Sequence, residues 1–176
     1  MILGGGNRVR VKSIQTGSIT VANATTNNTD TIDSVVLANS IIMPNGNTYG
    51  EADDPIYHGE FRIELTNETT VTAKRTGNTL ECAVRYTVIE FYPGGIKSVQ
   101  RGTITVNALT KDATITEVDT DKSALFHLGF EGREDPYQGG RSFCHLQLLN
   151  STTVRATRGY NGATSPIVGY QVVEFF

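Results

Sequence analysis

Two loops of this 176-residue chain contain the side chains best suited to bind a ligand or a partner. Residues 45–58 read NGNTYGEADDPIYH and residues 129–141 read GFEGREDPYQGGR; in both, an acid, an Asp and a Pro precede a tyrosine. Long loops on a rigid β scaffold commonly carry binding residues, and tyrosine provides a rigid amphipathic contact. Polar turns shaped by Asp and Pro have similar sequences. We interpret both as contact loops for a partner subunit or a surface ligand. The contact residues predicted in them and in one later turn are Tyr49, Asp53, Asp54, Tyr57, Glu134, Asp135, Tyr137 and Tyr160.

Carboxylates in the same loops raise the question of a calcium site, since calcium takes about six to eight oxygen ligands. Their spacing does not match an EF-hand, and acidic turns are common. The three histidines, His58, His127 and His145, are scattered, and no cysteine lies at zinc-ligand spacing from two of them. We therefore predict that the chain binds no metal ion and no cofactor. The carboxylates considered are Glu51, Asp53 and Asp54 in the first loop and Glu131, Glu134 and Asp135 in the second.

The cysteines, serines and histidines do not form a pattern typical of nucleophilic catalysis. The chain has no Gly-x-Ser-x-Gly motif, the turn that presents the serine nucleophile of many hydrolases. Cys144 and His145 are adjacent, and adjacent side chains of a strand point to opposite faces, so these two cannot form a dyad there. We predict that Cys82 and Cys144 are free structural thiols and that the protein is not an enzyme.

Two glutamates occupy matching places in similar segments, Glu90 in IEF and Glu174 in VEF. Arg75 and Arg158 also match each other, and Arg85 lies close to Glu90 in the chain. We interpret the glutamates as structural ion pairs or as charges on edge strands. The arginines are their candidate partners.

The whole chain is built on an internal repeat. Three segments return after 83 to 85 residues, with seven of eleven, six of nine and four of seven residues identical. This spacing is longer than the repeats of a solenoid, which cannot bury a core alone. We therefore predict two domains from an internal duplication, residues 1–93 and 94–176. The segment pairs are 11–21 and 96–106, 67–75 and 150–158, and 85–91 and 169–175.

Apolar and polar residues alternate in both copies, as they do in half-buried β-strands. Asn- and Gly-containing turns separate these segments regularly. The pattern predicts an all-β protein with two tandem antiparallel β-sandwich domains of about five to six strands each. In residues 114–130 we expect Phe126, Leu128 and Phe130 to share one buried face.

Composition argues against two classes of partner. The net charge is −3 and the pI is near 5.6, whereas binding to nucleic acid needs clustered Lys and Arg. No segment approaches the roughly 18 apolar residues of a membrane span. We therefore predict neither a nucleic-acid nor a membrane partner. The apolar run at the start is too short for a signal peptide, so we expect the protein to be made in a cytoplasm and not exported.

Three motifs follow one another in both copies. They are Lys-Ser-x-Gln-x-Gly-x-Ile-Thr, Leu-x-Asn-x-Thr-Thr-Val-x-Ala-x-Arg and Tyr-x-Val-x-Glu-Phe. This succession resembles small β-sandwich modules of tailed-bacteriophage virion proteins. It is also loosely similar to H-type lectin domains, whose first strand likewise opens with Gln-x-Gly. The resemblance covers most of residues 11–176.

The two resemblances imply different functions. The first implies a non-enzymatic virion structural protein, either a capsid decoration or cement protein or a tail, collar or baseplate component. Such a protein would form homo-oligomers and contact other virion proteins after synthesis in the host cytoplasm. The second implies a carbohydrate-binding module that recognises a host surface glycan through the predicted loop residues. The chain has no Trp, whose ring often stacks on sugars, and this argues against the second.

Overall fold

The computed structural model describes residues 10–49, 60–77, 80–132, 143–159, 161 and 165–176. These residues form twelve strands and two short 3-10 helices, Leu37–Asn39 and Thr120–Lys122, and they contain no α-helix. Strand pairing in this part of the chain is antiparallel, so the predicted all-β antiparallel class is confirmed. The strands are β1 (Val11–Val21), β2 (Asn27–Thr31), β3 (Ser40–Tyr49), β4 (Arg62–Asn67), β5 (Thr70–Lys74), β6 (Cys82–Phe91), β7 (Ser98–Thr105), β8 (Thr110–Thr114), β9 (Ser123–Glu131), β10 (Cys144–Asn150), β11 (Thr153–Arg158) and β12 (Ile167–Glu174).

The strands are arranged in three sheets. Two sheets have three strands, in the orders β1-β6-β3 and β10-β11-β8, and the third has six, in the order β2-β5-β4-β9-β12-β7. We call β1–β6 the first half and β7–β12 the second half. The six-stranded sheet takes three strands from each half, and the halves meet in it at one residue pair, Arg62 on β4 and Gly129 on β9. The result is a β-sandwich-like architecture in which the two halves share a sheet.

Corresponding strands occupy corresponding places in the two halves. The order β1-β6-β3 is repeated as β7-β12-β9, and the order β2-β5-β4 is repeated as β8-β11-β10. The turns between paired strands also match: the Asn67 side chain accepts a hydrogen bond from the Thr69 amide, and the Asn150 side chain accepts one from the Thr152 amide, both at 2.9 Å. Short polar side chains close such turns because they satisfy a backbone donor locally.

Apolar side chains form one cluster in each half and a third between them. The first-half cluster includes Ile19, Ile63 and Val84, and it also contains Leu128 from β9 of the second half. The second-half cluster lies between its own two sets of strands. The third cluster brings residues of both halves together, with Ile41 and Phe91 from the first and Val173 from the second. Burial of apolar surface therefore stabilises the contact between the halves as well as each half.

The expected buried face of Phe126, Leu128 and Phe130 is interrupted. Phe126 and Leu128 pack with residues of the first half, whereas Phe130 packs in the second-half cluster. Gly129 has a φ of +87°, and the register between β9 and β12 shifts at this point. A bulge breaks the two-residue alternation of a strand. The prediction of a single face is wrong because Gly129 turns β9 from one cluster to the other.

Gly129 and Gly46 form a matched pair for testing the junction. Both have positive φ, +87° and +102°. A Cβ at Gly129 would overlap the backbone oxygen of Phe61, whereas a Cβ at Gly46 would have no atom of the described residues within 4 Å. Gly46→Ala should cost about 1–2 kcal/mol of unfolding free energy for its backbone conformation. Gly129→Ala should cost a further ~1–3 kcal/mol for the overlap. Urea unfolding of both variants measures the difference, and equal losses would contradict the close packing at Gly129.

Candidate functional site: the contact between the two halves

The predicted contact loops begin within strands, since residues 45–49 belong to β3 and residues 129–131 to β9, and the rest of both loops, apart from Gly132, lies outside the described residues. Tyr49 is the last residue of β3. The other seven predicted contact residues, from Asp53 to Tyr160, fall outside the described ranges. Their role as contact residues stays a prediction. The described residues with functional potential lie in the buried charged groups and in the contact between the halves.

Glu90 is a buried carboxylate with three hydrogen-bond donors. Its oxygens accept from Lys12 Nζ at 2.9 Å, Ser13 Oγ at 3.3 Å and the Val36 amide at 3.0 Å, and only 2% of the residue is exposed. Burial acts to raise the pKa of Glu90, but the Val36 amide and the Lys12 ammonium outweigh it, so the pKa is lowered. The carboxylate stays charged and ties β1 to the segment before β3.

Glu174 makes the same set of contacts in the second half. It accepts from Lys97 Nζ at 2.7 Å, Ser98 Oγ at 3.3 Å and the Asp119 amide at 2.9 Å. The Lys97 hydrogen bond, followed by that of the Asp119 amide, lowers the pKa of Glu174. The interpretation of both glutamates as structural ion pairs is therefore confirmed. The expected arginine partner is wrong, because a lysine of the opening motif forms each ion pair.

The matching arginines donate hydrogen bonds to backbone oxygens instead. Arg75 donates from Nε to Thr25 O at 3.1 Å and from Nη2 to Ala22 O at 2.8 Å. Arg158 donates from Nε to Ala108 O at 3.1 Å. Guanidinium groups that satisfy buried carbonyls hold the preceding loop against the sheet. These arginines are structural.

The contact between the halves contains a polar group that covers the edge of β3. Gln171 on β12 accepts a hydrogen bond from the Ile42 amide at 3.1 Å and donates to Ile42 O at 3.4 Å. Arg101 on β7 donates from Nε to Gln171 Oε1 at 3.0 Å. The same guanidinium donates from Nη1 to Leu37 O at 3.3 Å and from Nη2 to Ser40 O. Burial lowers the pKa of Arg101 to about 10, so it remains charged at neutral pH.

Sequence reasoning missed this group, although a signal was present. Arg101 and Gln171 both interrupt the repeat: the residues at the corresponding positions of the first half are Thr16 and Thr87. At both positions the residues on either side are the same in the two copies, and only the threonine is replaced by a long polar side chain. Such a replacement marks a contact that one copy makes and the other does not. The departure from the repeat, and not the repeat itself, points to the site.

Arg62 forms the second polar group of the contact. Its Nη1 donates to Glu64 at 2.5 Å on the same strand, and its Nη2 donates to Glu131 at 2.9 Å in the second half. Although burial opposes the charge, the hydrogen bonds with Glu131 and Glu64 leave the pKa of Arg62 raised. Gly169 leaves room for this side chain, since a Cβ there would lie 2.8 Å from Arg62 Cγ. A larger residue at Gly169 would displace the arginine.

His127 holds the bulge to which Arg62 is paired. Its Nδ1 accepts a hydrogen bond from the Gly129 amide at 3.0 Å, and its Nε2 donates to Cys144 O at 3.1 Å. Burial lowers the pKa of His127. The ring is therefore neutral at neutral pH, with its proton on Nε2, and acts as a link between β9 and β10.

A cleft of about 280 Å³ lies between β4 and the β7-β12-β9 strands. The described residues that line it include no Cys, His or Ser. Its carboxylate, Glu64, is held by Arg62 and by Lys74 at 2.7 Å. Burial opposes this charge, but the Lys74 and Arg62 hydrogen bonds lower the pKa of Glu64, so it is poorly suited to act as a base near pH 7. The cleft has the chemistry of a packing contact between halves.

The two cysteines, both within the described residues, form no disulfide. Burial raises the pKa of Cys144 to about 11 and also raises that of Cys82, so both thiols are protonated at neutral pH. The described residues hold no group of three or more His, Cys, Asp or Glu side chains placed to bind a metal ion. Within the same residues, the structure has no helix of the length and apolar character that would cross a bilayer.

No protein-family model, curated protein or solved structure matched this chain when it was compared with known proteins. Function is therefore inferred from the contacts described above and from the motifs of the sequence.

Replacing the Glu174 carboxylate by an amide should destabilise the fold in a pH-dependent way. Loss of its charge-assisted hydrogen bonds in Glu174→Gln should cost about 2 kcal/mol at pH 7. The folded-state pKa is lowered, so this stabilisation is complete above the unfolded-state pKa of about 4.3 and is lost as pH falls through the folded-state pKa. Urea unfolding at pH 7 and pH 3 should show the difference shrinking. The exposed Glu117→Gln serves as control, and an equal loss in both variants would contradict the role of Glu174.

Replacing Gln171 by alanine should lower the free energy of unfolding, because backbone groups at the edge of β3 lose their hydrogen-bond partner. Gln171→Ala leaves the Ile42 amide and Arg101 Nε without their buried partner, which should reduce the free energy of unfolding by about 2–3 kcal/mol. Gln147→Ala, at an exposed position of β10, should change it by less than about 0.5 kcal/mol. Denaturant unfolding at low protein concentration compares the two, and similar values would show that Gln171 does not support the contact.

Proposed function

We propose that this chain is a non-enzymatic structural protein of a tailed-bacteriophage virion that acts through protein–protein contacts. In this proposal it is a capsid decoration or cement protein, or a tail or baseplate component. Its partners are other virion proteins and further copies of itself. It is made in the host cytoplasm and resides in the virion.

The observation that carries the proposal is where the buried charges lie. The carboxylates of Glu90 and Glu174 accept hydrogen bonds from lysines and backbone amides. Arg75 donates to loop carbonyls, and Arg101 donates to a backbone oxygen of the first half. Enzymes usually place titratable groups with shifted pKa values in a cleft where a substrate can reach them. Here such groups bond to other groups of the same chain, and this includes Arg62 and Glu64 beside the cleft between the halves. This use of charge supports a role in holding a rigid shape for contact with other proteins.

We further propose that the two halves are β-sandwich domains that arose by duplication, with limits at residues 1–93 and 94–176. The recurrent contacts support this. Ser40 Oγ donates to Val36 O and Ser123 Oγ donates to Asp119 O, at 2.8 and 2.7 Å, and each closes a 3-10 turn before the third strand of its half. Duplicated modules that stack on each other are well suited to structural assemblies because one contact can be reused many times.

The proposal is tested on purified particles of the phage whose genome encodes the chain. Quantitative mass spectrometry should find the protein at a fixed number of copies relative to the major capsid protein, and washing at high salt should not change the ratio. Antibody labelling in electron micrographs then places it on the capsid or on the tail. Absence from washed particles, or a copy number that varies between preparations, would refute a structural role in the virion.

Recognition of a surface glycan stays a prediction, since six of its seven proposed contact residues lie outside the described residues. A glycan array probed with and without calcium addresses it directly. Binding that is lost in Tyr57→Ala and Tyr137→Ala would favour it over the virion proposal. A blank array at high protein concentration would remove it.

A further inference from the structure

The contact that joins the two halves has a vacant counterpart on each end of the molecule. In the six-stranded sheet, β4 of the first half pairs with β9 of the second. The corresponding strands are β10 and β3, and each lies at the edge of its own three-stranded sheet. Within the described residues, no strand pairs with the outer edge of either. Edge strands leave backbone groups able to pair with another chain, and on β3 these groups lie near Gly46, since Gln171 and Arg101 already hold the backbone groups of Ile42 and Ser40.

The glycine that receives β4 is matched by an open glycine on β3. Gly129 has a φ of +87° and is packed against the backbone of Phe61. Gly46 stands at the corresponding position of the first half and has a φ of +102°, and no atom of the described residues lies within 4 Å of where a Cβ would be. The same backbone conformation is therefore present in both halves: β4 packs against it in the second half, and no described residue packs against it in the first.

The surface beside Gly46 also matches the surface that β4 covers. The first-half strand β4 lies over five residues of the second half that line the cleft between the halves, Arg101, Gly102, Thr103, Leu128 and Gly169. The first half has a cleft of about 380 Å³ on the outer face of its β1-β6-β3 sheet. That cleft is lined by the repeat counterparts of the same five residues, which are Thr16, Gly17, Ser18, Asn45 and Arg85.

Side-chain sizes on the two vacant surfaces are complementary. In the filled contact, a large residue of β4, Arg62, lies over a glycine, Gly169. In the vacant pair the large residue is on the sheet face, Arg85, and the shorter His145 stands on β10. Exposed apolar residues flank both surfaces: Ile14 is 60% exposed on β1 and Leu149 is 39% exposed on β10. The counterpart of Ile14, Val99, is partly buried in the cluster between the halves.

We infer that these surfaces bind each other between two copies of the chain. The β10 strand of one protomer pairs with the β3 strand of its partner near Gly46, which builds a second six-stranded sheet in the order β8-β11-β10-β3-β6-β1. The contact is heterologous, because one protomer contributes its second half and the other its first half. This inference rests on the proposed structural function, whose oligomeric contact it specifies.

Complementation between two variants tests the inference. Gln147→Lys with Leu149→Lys places charge on β10, and Ile14→Lys with Thr16→Lys places charge on the receiving face. Each variant loses one surface and keeps the other. Size-exclusion chromatography with light scattering should give a mass above the 19.1 kDa of one chain for the native protein and 19.1 kDa for each variant alone. An equimolar mixture of the two variants should form a dimer of 38.2 kDa, twice 19.1 kDa.

The control variant carries lysines at two exposed positions of the turn between β7 and β8, Asn107→Lys with Leu109→Lys, and should associate as the native protein does. Circular dichroism melting confirms that each variant is folded, and the single substitutions Leu149→Lys and Ile14→Lys replace any double variant that is not. A monomeric native protein, variants that associate normally, or a mixture that stays at 19.1 kDa would overturn the inference. A monomer in solution that is nevertheless present at fixed copy number in particles would refute this contact and leave the proposed function standing.

Discussion

The structure depends on one constraint: the backbone groups at the edge of β3 must have partners where the two halves meet. Gln171 and Arg101 supply them, by contacts to Ile42, Leu37 and Ser40. An amide or a carbonyl buried without a partner costs free energy comparable to a lost hydrogen bond. With these groups satisfied, the apolar cluster around Ile41, Phe91 and Val173 can exclude water and stabilise the contact. The polar group thus determines which surface of the second half lies against the first.

The buried glutamates provide the stiffness on which that contact relies. Glu90 links the start of β1 to the turn before β3, and Glu174 links the start of β7 to the turn before β9. The glutamates thus fix the positions of these strands relative to one another in each half. Because both carboxylates stay charged and are hydrogen-bonded on several sides, the turns cannot move without losing several contacts at once. Rigid edges of this kind are what a protein needs when its surfaces bind other proteins.

Much of the fold could be predicted from the sequence, and the contact between the halves could not. Alternation and the long repeat indicated antiparallel strands, since burial of one sheet face imposes a period of two residues. The Gly129 bulge escaped prediction because one positive φ changes the face of every later residue on its strand. Arg101 and Gln171 escaped it because their partners are backbone groups, which carry no signature in the sequence. Of the eight predicted contact residues, only Tyr49 falls within the described residues.

Hydrogen–deuterium exchange as a function of protein concentration tests most directly whether partners for the backbone groups of edge strands determine the two contacts. These are the contact between the halves and the proposed contact between two copies. The Ile42 amide should exchange slowly at every concentration, because Gln171 of the same chain covers it. The β10 amides that point away from β11 should exchange quickly in dilute protein and more slowly as concentration rises, because the partner's β3 then pairs with them. Rapid exchange at Ile42, or exchange in β10 that does not change with concentration, would contradict this.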